Sequence, residues 1–125
     1  MSSLWLSIEP LRDSTRLMLS EASGGPALKA RLPATPAHER AVAMLLEALV
    51  AWYGLPLCAV LDADAEDVQR DPRRWALALG DLASPQIAVE WVSPAAGPLA
   101  DRELDGVGDF KRARRLITLA ATGLK

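Results

Sequence analysis

The segment from residue 38 to residue 64 constrains the fold more than any other part of this sequence. Apolar residues recur at helical spacing from Val42 to residue 53, and Gly54 follows them as a natural helix end. Residues 57–61 then carry no polar side chain, which is typical of a strand covered on both faces of a sheet. A helix that leads into such a strand predicts an α/β fold.

The start of this helix is marked by Thr35 and Pro36. Threonine is a favoured N-cap residue, and proline is favoured at the first helical position. Arg40 and Glu47 share the helix face opposite the apolar stripe. We therefore expect both of these charged side chains to be solvated.

Three short strands are predicted before the helix. Residues 4–9 alternate in part between two faces, and residues 15–20 resume the pattern after a break at Pro10. Residues 27–32 follow the turn sequence Ser-Gly-Gly-Pro. Tight turns between consecutive strands predict an antiparallel meander.

Helix and strand recur after residue 64. Asp71 and Pro72 mark the start of a helix over residues 73–83, and residues 86–93 alternate as a strand. Residues 94–108 form the longest irregular stretch, and a last amphipathic helix is predicted over residues 109–124. The element order is therefore βββ-α-β-α-β-α, and we expect a mixed five-stranded sheet with helices on both faces, within one domain spanning residues 1–125.

Composition limits the function classes. The net charge is -2, so any attraction to nucleic acid requires a local patch. The last helix opens with Lys111, Arg112, Arg114 and Arg115, which either steer a polyanion or form a solvated face. The one cysteine, Cys58, forms no intramolecular disulfide, so we expect a reducing, cytoplasmic setting. The apolar runs are too short for a membrane span, and the first ten residues do not resemble a signal peptide.

Three segments, in this order along the chain, resemble the ribonuclease H family. The sequence beginning His38-Glu39-Arg40 is similar to the family's first helix, and residues 60–68 are similar to its fourth strand and the helix start beyond it. Glu90-Trp91-Val92 is similar to the fifth strand. The resemblance covers nearly the whole chain and implies a ribonuclease H-like fold.

The resemblance also implies a set of four acidic metal ligands, one each from the first strand, the first helix, the fourth strand and the last helix. Two of the four positions have an alternative, Asp62 for the fourth strand and Asp105 for the last helix. The predicted ligands and catalytic residues are Glu9, Glu39, Asp64 and Asp109.

Four carboxylates suit two divalent metal ions, Mg²⁺ or Mn²⁺, because hard cations take oxygen ligands. In the implied chemistry one ion activates the attacking water and the other stabilises the leaving oxygen of a phosphodiester. Each carboxylate also has a purely structural interpretation. Glu39 favours a helix start through the macrodipole, Asp64 and Asp109 are natural caps, and Glu9 ends a strand.

Two departures from the family pattern bear on activity. Glu9 stands where the family carries aspartate and is followed by Pro10, and Ala95 stands where many members carry a histidine. We therefore expect a partly degenerate site in a non-catalytic or weakly active module that binds nucleic acid or protein. The alternative is a two-metal nuclease acting on RNA or an RNA–DNA hybrid.

The four tryptophans complete the sequence predictions. We expect Trp5, Trp52, Trp75 and Trp91 to be mostly core residues. Trp5 and Trp91 are also candidates for an exposed stacking surface or a homodimer surface.

Overall fold

The structure is a computed structural model that describes residues 3–21, 26–93 and 111–122. Within these ranges the chain forms five strands and four helices. The strands are β1 (Leu4–Pro10), β2 (Ser14–Glu21), β3 (Pro26–Pro33), β4 (Leu57–Asp62) and β5 (Ile87–Val92). The helices are α1 (His38–Tyr53), α2 (Glu66–Arg70), α3 (Pro72–Gly80) and α4 (Lys111–Thr122).

The five strands form one mixed sheet in the order β3-β2-β1-β4-β5. β1, β2 and β3 pair antiparallel, and β4 lies parallel to both β1 and β5. The predicted meander and the predicted mixed five-stranded sheet are therefore confirmed. The parallel pairs form because α1 and then α2 and α3 carry the chain back between the strands.

The meander register follows the apolar pattern of its strands. Leu6 lies opposite Leu19 and Ile8 lies opposite Leu17, so the apolar side chains of β1 and β2 share one face. All four of these side chains are buried. A slip of one residue would turn each of them to the other face, so the register is strongly specified.

Two apolar clusters lie on opposite faces of the sheet. The larger joins Leu6, Ile8 and Leu61 of the strands to α1 and to Trp75 of α3. The smaller joins Val60 and Val92 of the strands to Leu116, Leu119 and Ala120 of α4. The expected helices on both faces of the sheet are thus confirmed.

The predicted start of α1 is wrong by two residues. The helix begins at His38, and its N-cap is Ala37, which has a φ of 60° and makes no side-chain cap hydrogen bond. The His38 backbone N–H donates to the Thr35 carbonyl oxygen at 3.0 Å. Pro36 therefore occupies the second position of a tight turn, where its fixed φ also fits, instead of the first turn of the helix. The predicted end at Gly54 is confirmed, with a φ of 67°.

Two predictions about the outer side of α1 are wrong. Trp52 is 83% exposed and is not a core residue. Glu47 is not simply solvated, because its carboxylate accepts hydrogen bonds from the backbone N–H groups of Ala83 and Ser84, at 2.8 and 3.1 Å. These bonds satisfy amides that follow the end of α3, so the Glu47 carboxylate has a structural role.

The region after β4 contains two helices. α2 is a separate turn and a half, and α3 starts where Asp71 and Pro72 predict it. The Asp71 carboxylate accepts from the Arg74 backbone N–H at 3.2 Å, as an N-cap should. α3 ends at Gly80, before the predicted end at residue 83.

Candidate functional site

The carboxyl ends of the parallel strands β1 and β4 hold the first candidate residues. Ile8 lies beside Leu61 in the parallel register, so Glu9 and Asp62 occupy the next positions along the two neighbouring strands. By strand alternation both side chains face the α4 side of the sheet, as Val60 does. Both residues have a relative exposure of 0%. Two acidic residues are therefore fully buried at adjacent strand ends, which is where ligands of open α/β sheets tend to bind.

Glu9 forms an ion pair with a residue of the neighbouring strand. Arg16 lies directly opposite Glu9 in the β1–β2 register. Arg16 Nη2 donates to Glu9 Oε2 at 3.0 Å, and the arginine side chain is itself only 16% exposed. A guanidinium of this chain thus neutralises the first predicted metal ligand.

The turn after β4 separates the two candidates Asp62 and Asp64. Asp62 ends the strand, and its Oδ1 accepts from the Asp64 backbone N–H at 3.0 Å. The Asp64 side chain lies further along this turn and accepts a hydrogen bond from the Ser93 hydroxyl. Asp64 does not cap α2, whose N-cap is Ala65. Asp62, the alternative of the two, is therefore the residue at the strand end beside Glu9.

Glu39 lies in a different environment. It is in the first turn of α1, which packs on the face of the sheet opposite to Glu9 and Asp62. The residue is 6% exposed, and its Oε1 lies 3.0 Å from Nε of Arg74 on α3. The carboxylate on the apolar stripe of α1 is therefore compensated by an arginine from a neighbouring helix.

Arg74 also links Glu39 to a second buried carboxylate, Asp67 of α2. Arg74 Nη2 contacts Asp67 Oδ2, and Arg70 Nη2 lies 2.7 Å from Asp67 Oδ1. The indole Nε1 of Trp75 donates to Asp67 Oδ2 at 2.9 Å. We call Glu39, Asp67, Arg70, Arg74 and Trp75 the Arg74 network. It connects α2 and α3 through charge-assisted hydrogen bonds and joins α1 to them through the Glu39–Arg74 ion pair.

The Arg74 network changes the acidity of Asp67. Burial alone would raise the pKa of this carboxyl. Hydrogen bonds from Trp75 and Arg74, together with the charges of Arg74 and Arg70, outweigh burial and lower the pKa below its usual 3.8. Asp67 therefore stabilises the fold as an anion.

The single histidine is part of the same helical layer. His38 is buried, and its Nε2 shares a 2.6 Å hydrogen bond with Thr15 Oγ1 of β2. Its ring meets Trp75 edge-on, with centroids 5.3 Å apart. These contacts fix the first residue of α1 against the sheet, so His38 is a packing residue here.

The described residues do not fit a two-metal centre. They contain no group of three or more His, Cys, Asp or Glu side chains placed to hold a metal ion. Glu9 and Asp62 lie together, Glu39 lies with Asp67, and Asp64 lies with Ser93. Asp105, Asp109 and Ala95 lie outside the described residues. The four-carboxylate ligand set thus stays a prediction, and no metal-dependent step is derived from it.

Sequence reasoning missed the basic partners of these carboxylates. Glu9 and Arg16 stand at equal distances from the centre of the β1–β2 turn, so the pair was readable as a cross-strand pair. Asp67, Arg70 and Arg74 also follow a helical spacing of three and four residues. Glu39 and Arg74 are far apart in sequence, and no local signal links them.

No helix in the described part of the chain has both the length and the apolar character needed to cross a membrane. No family model matches the sequence, and no curated protein matches it significantly.

Solved structures do resemble this chain. A foamy viral protease-reverse transcriptase in complex with double-stranded DNA matches 73% of this chain and 20% of its own, with a TM-score of 0.51 and 16% identity. A second structure of that enzyme with double-stranded DNA covers 74% of this chain and 24% of its own, with a TM-score of 0.49 and 17% identity. The Ppx/GppA family member of Aquifex aeolicus covers 75% of this chain and 36% of its own, with a TM-score of 0.42 and 16% identity.

Only the first of these similarities is close enough to bear on the fold, and this chain spans about a fifth of the protein that it matches. The part of the chain that the structure describes has the sheet order β3-β2-β1-β4-β5 and helices on both faces of the sheet. An identity of 16% extends to the fold alone. The chain has a ribonuclease H-like fold.

Proposed function

We propose that this chain is a non-catalytic nucleic-acid-binding module built on the ribonuclease H-like fold. One observation carries the proposal: arginines of the chain itself bind the predicted metal ligands Glu9 and Glu39. Arg16 lies 3.0 Å from Glu9, and Arg74 lies 3.0 Å from Glu39. The positive charge that divalent ions would supply is already present at these two carboxylates.

Coordination chemistry explains why these arginines oppose catalysis. Mg²⁺ requires near-octahedral oxygen ligands at roughly 2.0–2.1 Å. The Arg16 guanidinium directs an N–H group at a Glu9 oxygen, and arginine does not deprotonate at physiological pH. Arg16 therefore competes with a metal by both charge and geometry, and Arg74 competes by charge. Binding a metal at Glu9 or Glu39 would require breaking a part-buried ion pair, which is costly.

Basic residues on β3 and α4 support the proposal that this chain binds nucleic acid. β3 carries Lys29 and Arg31 with no acidic residue, and α4 carries Lys111, Arg112, Arg114 and Arg115 with no acidic residue. Lys29, Arg31 and Arg114 are exposed. We call these three exposed residues the basic face. Positive side chains without acidic neighbours on their own element attract phosphate. The foamy viral enzyme that shares this fold was solved on double-stranded DNA, which favours the same ligand class.

The proposal is tested by fluorescence anisotropy with labelled double-stranded DNA, RNA–DNA hybrid and single-stranded DNA. Binding through a few phosphate contacts should weaken by about tenfold or more when salt rises from 50 to 200 mM. The same samples incubated with Mg²⁺ or Mn²⁺ should show intact strands on a gel. Absence of binding at low salt would contradict the proposal.

Charge-reversal variants locate the surface. Arg31→Glu and Arg114→Glu should each weaken binding about tenfold and reduce its salt dependence, because each removes a phosphate contact. Arg73→Glu is the matched control, since Arg73 is exposed on α3, on the opposite side of the sheet. Equal losses in all three variants would show that binding follows net charge alone and would reject the basic face.

A two-metal nuclease is the second candidate, and one observation favours it. Glu9 and Asp62 are adjacent and fully buried at the ends of two parallel strands. Mg²⁺ or Mn²⁺ titration followed by thermal unfolding tests this candidate. Metal ions should raise the unfolding midpoint if the carboxylates converge. Glu9→Gln and Asp62→Asn should then remove both the rise and any cleavage of an RNA–DNA hybrid.

A further inference from the structure

Two arginines lie side by side on the α4 side of the sheet. Arg16 of β2 is directly opposite Arg31 of β3 in the antiparallel register. Residues that are directly opposite in such a pair point to the same face, with Cβ atoms about 4.5–5.5 Å apart. Strand alternation places this face on the α4 side, because Leu17, the next residue of β2, belongs to the cluster on the α1 side. Two guanidinium groups therefore start from neighbouring positions on one surface.

This pair of positive charges is unfavourable without an anion. Like charges that are directly opposite in a sheet repel each other and lower its stability. Arg31 forms no hydrogen bond or ion pair in the part of the chain that the structure describes. Arg16 donates to Glu9 through Nη2, at 3.0 Å, which uses only part of the donor capacity of a guanidinium. Arg16 Nε is buried and has no hydrogen-bond partner. The pair therefore has donors that the described residues do not use.

Solvent reaches the pair from one side. Arg31 is exposed, and the side chain of Arg16 is 16% exposed. Helix α4 packs mainly against β1, β4 and β5, so the pair on β2 and β3 lies beside this helix. Lys29 is exposed on the same face of β3, two residues before Arg31 and about 7 Å away along the strand. An anion that approaches this face therefore meets three positive side chains.

We propose that Arg16 and Arg31 together bind one phosphate group. Each guanidinium presents a planar fork of N–H donors. Two neighbouring forks suit oxygens that point in different directions from a tetrahedral phosphorus, whereas the two coplanar oxygens of a carboxylate are satisfied by a single fork. The pair therefore fits phosphate better than carboxylate. The phosphate belongs either to a nucleic-acid backbone or to a free phosphate ion.

The backbone as the source rests on the function proposed above and makes it more specific. Arg16 adds a partly buried donor beside the basic face, and the strand register fixes its position relative to Arg31. Contacts to phosphate position a protein on nucleic acid but carry no direct sequence information. The pair should therefore contribute affinity that is the same for duplexes of different sequence.

Glu9 has two effects on the pair. Its carboxylate holds the Arg16 guanidinium in one orientation, and its negative charge opposes an anion bound next to that guanidinium. Glu9→Gln keeps an oxygen acceptor for Arg16 and removes the charge, so phosphate should bind about threefold more tightly or better. Asp62→Asn is the matched control, because Asp62 is equally buried but lies one strand further from Arg16. Its effect should be less than about twofold.

A phosphate titration followed by NMR tests the pair without nucleic acid. In an isotope-labelled sample at low salt, the side-chain Nε–H signals of Arg16 and Arg31 should shift with one dissociation constant as inorganic phosphate is added. Arg16→Lys and Arg31→Lys assign the signals. Arg73, exposed on α3, is the control and should not shift, and sodium chloride at equal ionic strength should shift none of the three. A shift of Arg31 alone, or two different constants, would overturn the proposal.

A double-mutant cycle on double-stranded DNA tests whether both arginines bind the same phosphate. Lysine keeps a positive charge beside Glu9 but loses the fork. Arg16→Lys and Arg31→Lys should each weaken binding about fivefold, and the double variant by no more than about tenfold, because the second change removes a contact that the first has already broken. Arg31→Lys with Arg114→Lys is the matched control, in which the two factors should multiply. Multiplying factors in both pairs would overturn the proposal.

The two experiments separate the sources of phosphate. If inorganic phosphate shifts both arginine signals but no nucleic acid binds, the pair stands with a free phosphate ion as its ligand, and the proposed function is rejected. If nucleic acid binds while Arg16 responds in neither experiment, the proposed function stands and the pair is rejected. The titration uses the natural chain, so it decides the question even where an Arg16 variant unfolds.

Discussion

The two sides of the sheet use buried carboxylates in different ways. On the side of α1, α2 and α3, Glu39 and Asp67 share Arg74, and Asp67 also receives Arg70 and the Trp75 indole. On the side of α4, Glu9 and Asp62 stand at adjacent strand ends, with Arg16 paired to Glu9. The first group is a structural network with ample counter-charge. The second places two carboxylates side by side at adjacent strand ends, so the two groups differ in arrangement rather than in residue type.

The largest expected loss of stability follows from replacing Arg16, the arginine on the α4 side of the sheet. Arg16→Met keeps much of the side-chain volume but leaves the fully buried Glu9 without this cation, and we expect a loss of about 3–5 kcal/mol in the free energy of unfolding. Urea unfolding at pH 7 measures it. Glu9→Gln in the same chain should recover a large part of the loss. A loss below 1 kcal/mol would mean that Arg16 is not the main counter-charge of Glu9.

A smaller loss is expected on the other side. Asp67→Asn keeps the shape of the side chain but removes the charge that pairs with Arg70 and Arg74, so the free energy of unfolding should fall by about 2 kcal/mol. Asp71→Asn is the matched control, because asparagine caps a helix as well as aspartate does and should change stability by a few tenths of a kcal/mol. Similar losses in both variants would show that the Arg74 network contributes no more to stability than an ordinary helix cap.

The stability lost in the Asp67→Asn variant should depend on pH. The folded pKa of Asp67 lies below the unfolded value of 3.8, so its stabilising contribution is fully present above pH 3.8. That contribution is lost as the pH falls from 3.8 through the lower folded pKa. The stability difference between the natural chain and Asp67→Asn should therefore be constant from pH 7 to about pH 5 and shrink below pH 3.8. Urea unfolding across this range measures it, and a constant difference down to pH 2.5 would contradict the role given to the charge.

Asp62→Asn is expected to change stability in the opposite direction to Asp67→Asn. Asp62→Asn keeps an oxygen acceptor for the Asp64 amide and removes a charge beside Glu9, so stability at pH 7 should stay unchanged or rise by about 1 kcal/mol. The sign is opposite to that for Asp67→Asn. Thermal unfolding without divalent ions measures it. A loss as large as that for Asp67→Asn would mean that the Asp62 charge stabilises the fold as well, and the comparison between the two sides would no longer hold.

The smallest effect is expected for an exposed ion pair. Arg12 and Glu66 lie 3.2 Å apart, but their side chains are 73% and 49% exposed. Glu66→Gln should change the free energy of unfolding by less than about 1 kcal/mol, because solvent and salt screen such pairs. Urea unfolding in low and high salt measures it. A larger loss would show that side-chain exposure does not predict how much an ion pair of this chain contributes to the free energy of unfolding.

The sequence predicted the order of strands and helices because the apolar periodicity is local. β4 carries no polar side chain before Asp62 and is a central strand, as such a run indicates. The start of α1 was mispredicted because Pro36 suits both a helix start and a tight turn. The environment of Trp52 could not be predicted either, since the apolar stripe of α1 continues around the helix and does not show which side faces the sheet.

The candidate site was less predictable than the fold. Sequence position correctly drew attention to Glu9, Glu39 and the Asp62–Asp64 turn, yet it could not show which face of the sheet each side chain occupies. Strand alternation sends Glu9 to the α4 side, whereas Glu39 belongs to a helix on the other side. The Glu39–Arg74 pair arises only when α1 and α3 pack together, so no local pattern reveals it.

The shortness of α2 has a consequence for how the molecule opens. An isolated helix needs roughly 12–15 residues to be stable in water, and α2 has five. Asp67 and the buried Val68 therefore hold it in place. Any excursion that unwinds α2 also releases Trp75 and Arg74 from Asp67 and weakens the contact with α1. Amide hydrogen exchange should then report the first turn of α1, α2 and the start of α3 as one cooperative unit, whose free energy of opening depends on a single carboxylate.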